Sequence, residues 1–425
     1  MSSESIGASK AARLQHLDGL IGPPLCLLLD LVDTLNPFRP APPKAGKPAS
    51  IAFVKLGEQG STVLAIPAIQ EAVRRVGRER VFFIVFSENR KILDALDLIP
   101  QENVVEIRTA SLPSFFGSVW AAIRRMRALP LDAVIDLDFF ARSSAILARL
   151  TGARWRVGLH AYFGEGPYRG QLMTHRPRYN PHLHTSRLFY SLVKALDQPA
   201  EAFPTWHDPG PQPSLPRLTV DPAKMEAMHR RLCEIFRTDS LPRIVLLNAN
   251  CSDMIPLRRW ESARFVELAR RILAEFPDTA IAFTGAPIEQ TQADELAKQV
   301  GSPRCVCMAG RTSLDELFAL YSHSTILVTN DSGPAHFASL TPARVIALFG
   351  PETPALFGPI SEGSVALTAG LPCSPCVSAQ NNRLSACKNN LCMQSISVDR
   401  VMEEVRIRLV TKDNRQLQRE HCHAE

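Results

Sequence analysis

The sequence predicts an α/β protein built from two doubly wound, parallel-sheet domains in tandem. Three observations carry that reading. Short, continuously apolar runs alternate with amphipathic helical stretches, the pattern of strands covered by helices on both faces. The alternation breaks at a proline-rich stretch over 206–218, with Pro209, Pro211, Pro213 and Pro216, and then starts again. The length of 425 residues suits two or three domains of ordinary size.

In the first half, Ile51–Lys55 reads as a strand, followed by a turn with Gly57 and Gly60 and a helix through about Arg75. Val81–Phe86, Val104–Ile107 and Ala133–Leu137 are the next strands. Helical stretches follow them at Lys91–Leu96, Val119–Arg127 and Ser143–Leu150. In the second half, Ile244–Asn248, Ala280–Phe283, Ile326–Thr329 and Val345–Phe349 are strands, with helices at Ala263–Ala274, Gln290–Val300 and Leu314–Tyr321. Cys305 and Cys307 alternate along a further expected strand. The expected division is an extension with a proline-rich linker (1–48), a first domain (49–205), the link (206–218), a second domain (219–410) and a tail (411–425). Two such domains are expected to bind ligands at the carboxyl ends of their sheets.

Composition narrows the function classes. Apolar residues make up 45% and charged residues 21%, which excludes a disordered, collagenous or coiled-coil chain. Net charge is 48 − 42 = +6, but it is concentrated. Between Ala121 and Tyr190 there are 11 Arg, no Lys and four acids, a local excess of +7. No nucleic-acid recognition motif accompanies this block, so a nucleic-acid partner is not expected.

The N-terminus carries Lys10 and Arg13 ahead of an uncharged run, Gly19–Leu29, that is eleven residues long and interrupted by Pro23 and Pro24. It lacks a small-residue cleavage site and falls short of the roughly 20 residues a membrane span needs. With ten cysteines in a long chain, this reads as cytoplasmic and not as a secreted disulfide scaffold. Leu25, Leu28, Leu29, Val32 and Leu35 fall at helical spacing, broken by Asp30 and Asp33. They make either an interfacial helix peripheral to the inner face of the cytoplasmic membrane or a helix that packs on the body.

The most informative turn is Thr329-Asn-Asp-Ser-Gly-Pro-Ala-His336, which follows a strand and opens a helix. Gly333 permits close backbone approach and Pro334 suits a first helical turn. Such a turn either cradles a phosphate on its backbone N–H groups or merely caps the helix.

The segment Asn330–Ser339 with Val345-Ile-Ala-Leu-Phe-Gly-Pro351 closely resembles the bacterial heptosyltransferase family, glycosyltransferase family 9. Val54-Lys-Leu-Gly-Glu-Gln-Gly-Ser-Thr-Val-Leu-Ala-Ile-Pro-Ala68 looks like that family's opening strand, loop and helix. Val134-Ile-Asp136, Thr151–Gly158, Arg258-Arg-Trp260 and Ala309-Gly-Arg-Thr-Ser-Leu314 match further segments. The resemblance covers about residues 51–408. It implies the GT-B fold and inverting transfer of a heptose or related sugar from an ADP-linked donor to a lipopolysaccharide core or similar anionic glycolipid, with no catalytic metal. By carry-over, Asp331 holds donor sugar hydroxyls, Ser332 and Gly333 face the diphosphate, and His336 and Asn330 lie beside them. Arg258 stands in for the family's phosphate-binding Lys, and Glu289 is a candidate for the ribose.

One position departs from the family. Its general base is an Asp directly after the first-loop glycine, whereas here Gly60 is followed by Ser61, which cannot act as a carboxylate base. Glu58 in the same loop is the preferred substitute, with Asp136 and Asp138 as alternatives. The remaining reading is a catalytically weak nucleotide-sugar- or glycan-binding protein. For the acceptor, the resemblance points to the arginine block: Arg142, Arg154 and Arg156, with Arg169, Arg176 and Arg178. His182 and His184 read as a loop pair. Finally, Cys373, Cys376, Cys387 and Cys392 form C-x₂-C-x₁₀-C-x₄-C, a candidate structural zinc or iron–sulfur site or a set of reduced thiols.

Overall fold

The computed structural model describes residues 4–38, 43, 46–162, 167–203, 213–251 and 255–422. Most of the proline-rich linker, residues 206–212 of the link, Glu165 and residues 423–425 lie outside them. The chain forms two compact units, Met1–Pro213 with Val377–Leu384, and Ser214–Cys376 with Ser385–Glu425. The segment 377–384, assigned from the sequence to the second domain, thus packs with the first unit.

The first unit opens with α1 (Glu4–Leu35) and continues β1 (Ile51–Val54), α2 (Gln59–Leu64), α3 (Ile66–Val76), β2 (Val81–Phe86), α4 (Arg90–Leu96), β3 (Val104–Ile107), α5 (Leu112–Ala128), β4 (Ala133–Asp136), α6 (Arg142–Leu150), β5 (Trp155–Val157) and α7 (Thr185–Lys194). Its sheet is parallel, in the order β3-β2-β1-β4-β5. Every residue of β1 and β4 is buried, as a parallel sheet covered on both faces requires. Because the order reverses between β1 and β4, the loops leaving these two strands diverge and open a crevice at their carboxyl ends.

The second unit runs α8 (Pro222–Phe236), β6 (Arg243–Asn248), α9 (Ser262–Glu275), β7 (Thr279–Phe283), α10 (Gln290–Val300), β8 (Cys305–Cys307), α11 (Leu314–Ser322), β9 (Ser324–Asn330), α12 (Gly333–Ala338), β10 (Arg344–Phe349), α13 (Pro354–Phe357), β11 (Val365–Thr368), α14 (Leu391–Gln394) and α15 (Val398–Cys422). The order is β11-β10-β9-β6-β7-β8, again parallel. Its reversal lies between β6 and β9. Trp260 locks the core beneath that point: it is fully buried, stacks edge-to-face on Phe265 at 4.9 Å, and donates its indole N–H to the Ile396 carbonyl at 2.9 Å. This ties the final helical segment to the sheet.

Candidate active site

At the first unit's reversal point, Lys55 directly follows β1 and Asp138 lies just beyond the end of β4. Lys55 is buried and its Nζ lies 2.8 Å from Asp138 Oδ1, while Leu56 donates its N–H to Asp138 Oδ2 at 3.0 Å. A buried ammonium needs such a partner. Lys55 Nζ also lies 3.6 Å from Glu58 Oε2. Glu58 precedes α2 with φ 65°, a left-handed conformation uncommon outside glycine. Ser61 donates its hydroxyl to Glu58 Oε2 at 3.2 Å, and Arg383, from the returning 377–384 segment, pairs with the same carboxylate. Glu58 is therefore a half-buried carboxylate held by two cations and a hydroxyl. Gly57 and Gly60 flank it, and Gly57 has open space where a side chain would stand.

The two other candidate bases stand differently. Asp138 is engaged by Lys55 and by the Leu56 N–H. Asp136 is fully buried, accepts from Ser144 Oγ at 2.9 Å, and pairs with Arg169. Burial pushes its carboxyl up, against the pull of Arg169. Glu58 is the most exposed of the three.

At the second unit's reversal point, β9 delivers Asn330 and Asp331, and the segment after β6 delivers Arg258. Arg258 Nη1 lies 3.4 Å from Asp331 Oδ2, and both side chains are largely buried. Burial raises Asp331 above the ordinary carboxylate range, and Arg258 opposes it. Asn330 is spent on positioning. Its side chain accepts the Trp260 N–H at 3.0 Å and donates to the carbonyls of Ala249 (3.2 Å) and Asn250 (3.1 Å). It thereby clamps the Arg258–Trp260 segment against the β9 turn. Ser332 donates its hydroxyl to the Asn330 carbonyl at 3.1 Å and precedes α12, which begins at Gly333 and buries His336. Glu289 caps its own turn by accepting the Ala286 N–H at 2.7 Å. Gly285 beside it has no room for a side chain: a Cβ there would meet Glu289 Oε2 and Asn250 Nδ2 at 2.8 Å.

The arginine block divides on inspection. Arg142 directs Nε to the Tyr168 carbonyl at 3.0 Å and lies 3.6 Å from Asp18. Arg156 donates to the carbonyls of Leu172 (2.7 Å) and Ala153 (2.9 Å), and Arg169 is buried on Asp136. Arg154 is exposed, its guanidinium 5.4 Å from the Trp155 ring centre. Arg176 donates to the Gln171 side chain, and Arg178 is exposed. His184 accepts the Ser186 N–H at 3.3 Å and so caps α7. In the cysteine segment, Cys373 and Cys387 are exposed, Cys376 is half-buried and Cys392 is buried. Among the described residues no three His, Cys, Asp or Glu side chains are grouped to hold a metal ion.

Three residues escaped the sequence reading. Lys55 sits inside the opening motif but looks like an ordinary strand end. Arg383 lies 325 residues from its partner Glu58. Glu352 directly follows the quoted Phe-Gly-Pro segment. It is buried, and burial together with the Asp331 carboxylate pushes it up to about 8. The sequence signal for it was an acid placed immediately after a buried strand and its Gly-Pro turn.

The family model for glycosyltransferase family 9 (heptosyltransferase) matches residues 119–386. The lipooligosaccharide heptosyltransferase 2 of Haemophilus influenzae is 28% identical over 151 residues, which cover 35% of this chain and 42% of that protein. The chain thus aligns with under half the length of this curated relative. Among solved structures, Escherichia coli ADP-heptose lps heptosyltransferase II superposes with a TM-score of 0.63 at 18% identity, covering 86% of this chain and 99% of that one. A family 9 glycosyltransferase from Veillonella parvula gives 0.64 at 16% identity, covering 85% and 97%. These likenesses establish the GT-B fold expected from the sequence.

Proposed function

Because the chain belongs to glycosyltransferase family 9, the heptosyltransferase family, we propose that it transfers a heptose from an ADP-linked donor to an anionic lipopolysaccharide-type acceptor. The observation that carries this reading is the buried Arg258–Asp331 pair at the second sheet's reversal point. A carboxylate and a guanidinium side by side suit a sugar diphosphate: one accepts from sugar hydroxyls, the other binds phosphate oxygens bidentately. Glu352 adds a neutral carboxylic acid near neutral pH, able to donate a hydrogen bond without repelling the diphosphate.

In the reaction, Glu58 takes the proton of the acceptor hydroxyl as its oxygen bonds to the donor's anomeric carbon. The bond from that carbon to the diphosphate breaks, and ADP leaves with the electron pair, its charge met by Arg258. A general base contributes about 10²–10⁴-fold, so Glu58→Gln should lower kcat by that factor and leave ADP-heptose binding intact. Full turnover by Glu58→Gln would remove Glu58 from the mechanism.

A second reading is favoured by the ties on Glu58. With Arg383, Lys55 and Ser61 all on one carboxylate, its oxygens are already engaged, as a nucleotide-sugar-binding protein without efficient transfer would tolerate. Titration with ADP-, UDP- and GDP-sugars identifies the donor, and release of free nucleotide separates the readings.

A further inference from the structure

Helix α1 has two unlike faces. The inner one packs on α6 and the adjoining loops of the first unit. Asp18 accepts the N–H groups of Arg142 (3.1 Å) and Ser143 (2.7 Å), capping the start of α6. Gly22 lies against Arg142, where a Cβ would come within 2.6 Å of that side chain. Cys26 is fully buried. Asp30 accepts the Gln171 N–H at 2.8 Å and the Tyr168 hydroxyl at 3.0 Å, and Asp33 pairs with Arg149 through both carboxylate oxygens. Positions 18, 22, 26, 30 and 33 recur at helical spacing, so every acid between residues 16 and 38 is turned inward and satisfied.

That leaves an outer face without acids. Leu20 (65% exposed), Leu27 (62%), Leu31 (53%) and Leu35 (71%) line it, and Phe38 (89%) extends it beyond the helix end. An exposed apolar strip of this length marks an interaction site. Helix α5 joins the same core cluster as α1 and α6, through Ala122 and Met126, and it exposes Phe116 (65%) and Trp120 (62%). The Arg124 guanidinium stands 5.3 Å from the Trp120 ring centre, and Arg108 and Arg124 are exposed. Lys10 and Arg13 precede the strip in sequence, and Arg39, Lys44 and Lys47 follow it.

We propose that the outer face of α1, with Phe116 and Trp120 of α5, is a docking surface for an anionic lipid bilayer, on which the protein lies without crossing. Leucines enter the acyl boundary, an aromatic ring sits at headgroup depth, and the exposed Arg108 and Arg124 meet the lipid phosphates. No helix among the described residues is long and apolar enough to cross a membrane. The charge selects lipid over a second copy of the chain, because an isologous contact would bring Arg108 and Arg124 against their own copies with no acid on the α1 face to meet them. The surface goes beyond the transfer reaction and holds for any donor sugar.

The test is sedimentation of the full chain with vesicles of phosphatidylcholine containing about one-quarter phosphatidylglycerol. The wild type should pellet with these and less with phosphatidylcholine alone. The triple variant Leu20→Glu/Leu27→Glu/Leu31→Glu, with unchanged circular dichroism and Tm, should lose binding at least roughly tenfold. Phe116→Ser/Trp120→Ser, on a different helix, should weaken it in the same direction, and this variant decides the matter if the triple one does not fold. Wild-type-like binding by the folded variants would overturn the proposal, as would a wild type that stays in the supernatant. A dimer in light scattering that the triple variant renders monomeric would also overturn it, by assigning the face to self-association.

Discussion

Replacing Arg258 by Met tests whether the Arg258–Asp331 pair is held as a unit. At 3.4 Å and an effective dielectric of about 20, the pair attracts by about 5 kcal/mol, and in water by about 1 kcal/mol. Both side chains are shielded, with 14% and 5% of their surface exposed, so the substitution strands a carboxylate in a poorly solvated site. Removing one partner of a buried pair costs about 3–5 kcal/mol. Even about 3 kcal/mol lowers the Tm of a unit of this size by about 6–12 °C. Arg258→Met/Asp331→Asn removes both charges and should regain most of that loss. Calorimetric unfolding reads the stability, and titration calorimetry with ADP reads the ligand, for which both variants should lose at least tenfold in affinity. Refutation would be an Arg258→Met protein melting within about 2 °C of wild type, or a double variant no more stable than the single one.

Three other outcomes are expected. Glu352 holds its proton up to about pH 8 when folded, against an ordinary value of 4.5. Its contribution to stability is therefore complete below pH 4.5 and fades as pH rises through about 8, at up to about 1.4 kcal/mol per unit. Glu352→Gln should flatten that decline in pH-dependent melts, and it should abolish a fall in ADP affinity between pH 7 and pH 9 that the wild type shows as the newly charged group repels diphosphate. Gly170 has φ +68° and lies where a Cβ would meet Asp30 Oδ2 at 2.6 Å. Gly170→Ala should therefore cost about 1 kcal/mol or more in unfolding experiments and speed proteolytic release of α1. Arg383→Ala frees one side of the Glu58 carboxylate, and it should lower kcat while ADP affinity in titration calorimetry stays at the wild-type value.

The strands of both sheets were legible because their burial on two faces writes a continuous apolar run. Trp155–Val157 and Val365–Thr368 were missed for the complementary reason. Each is an edge strand with only one fully buried residue, so its pattern lacks that run. Helix Pro222–Phe236 buries only Met228 and Leu232, too little to impose a visible stripe. In the N-terminal extension, Asp30 and Asp33 break the apolar spacing and leave the helix's two faces indistinct in the sequence. Their partners, Gln171 and Arg149, like Arg142 for Asp18, lie over 100 residues away, and the inward face appears only once these are in place. The same holds for the site. The turn Asn330–His336 is local and could be read directly, although Asn330 proved to be a clamp. Arg383 reaches Glu58 through a chain return that no spacing rule encodes.

Transfer is read most directly from the release of ADP from ADP-heptose, with and without a lipopolysaccharide inner-core acceptor. The wild type should release ADP in an acceptor-dependent way and form an acceptor one heptose heavier, with a drop of about 10²–10⁴-fold in Glu58→Gln. A protein that binds ADP-heptose, with a raised Tm, yet releases no ADP in the presence of acceptor would contradict it.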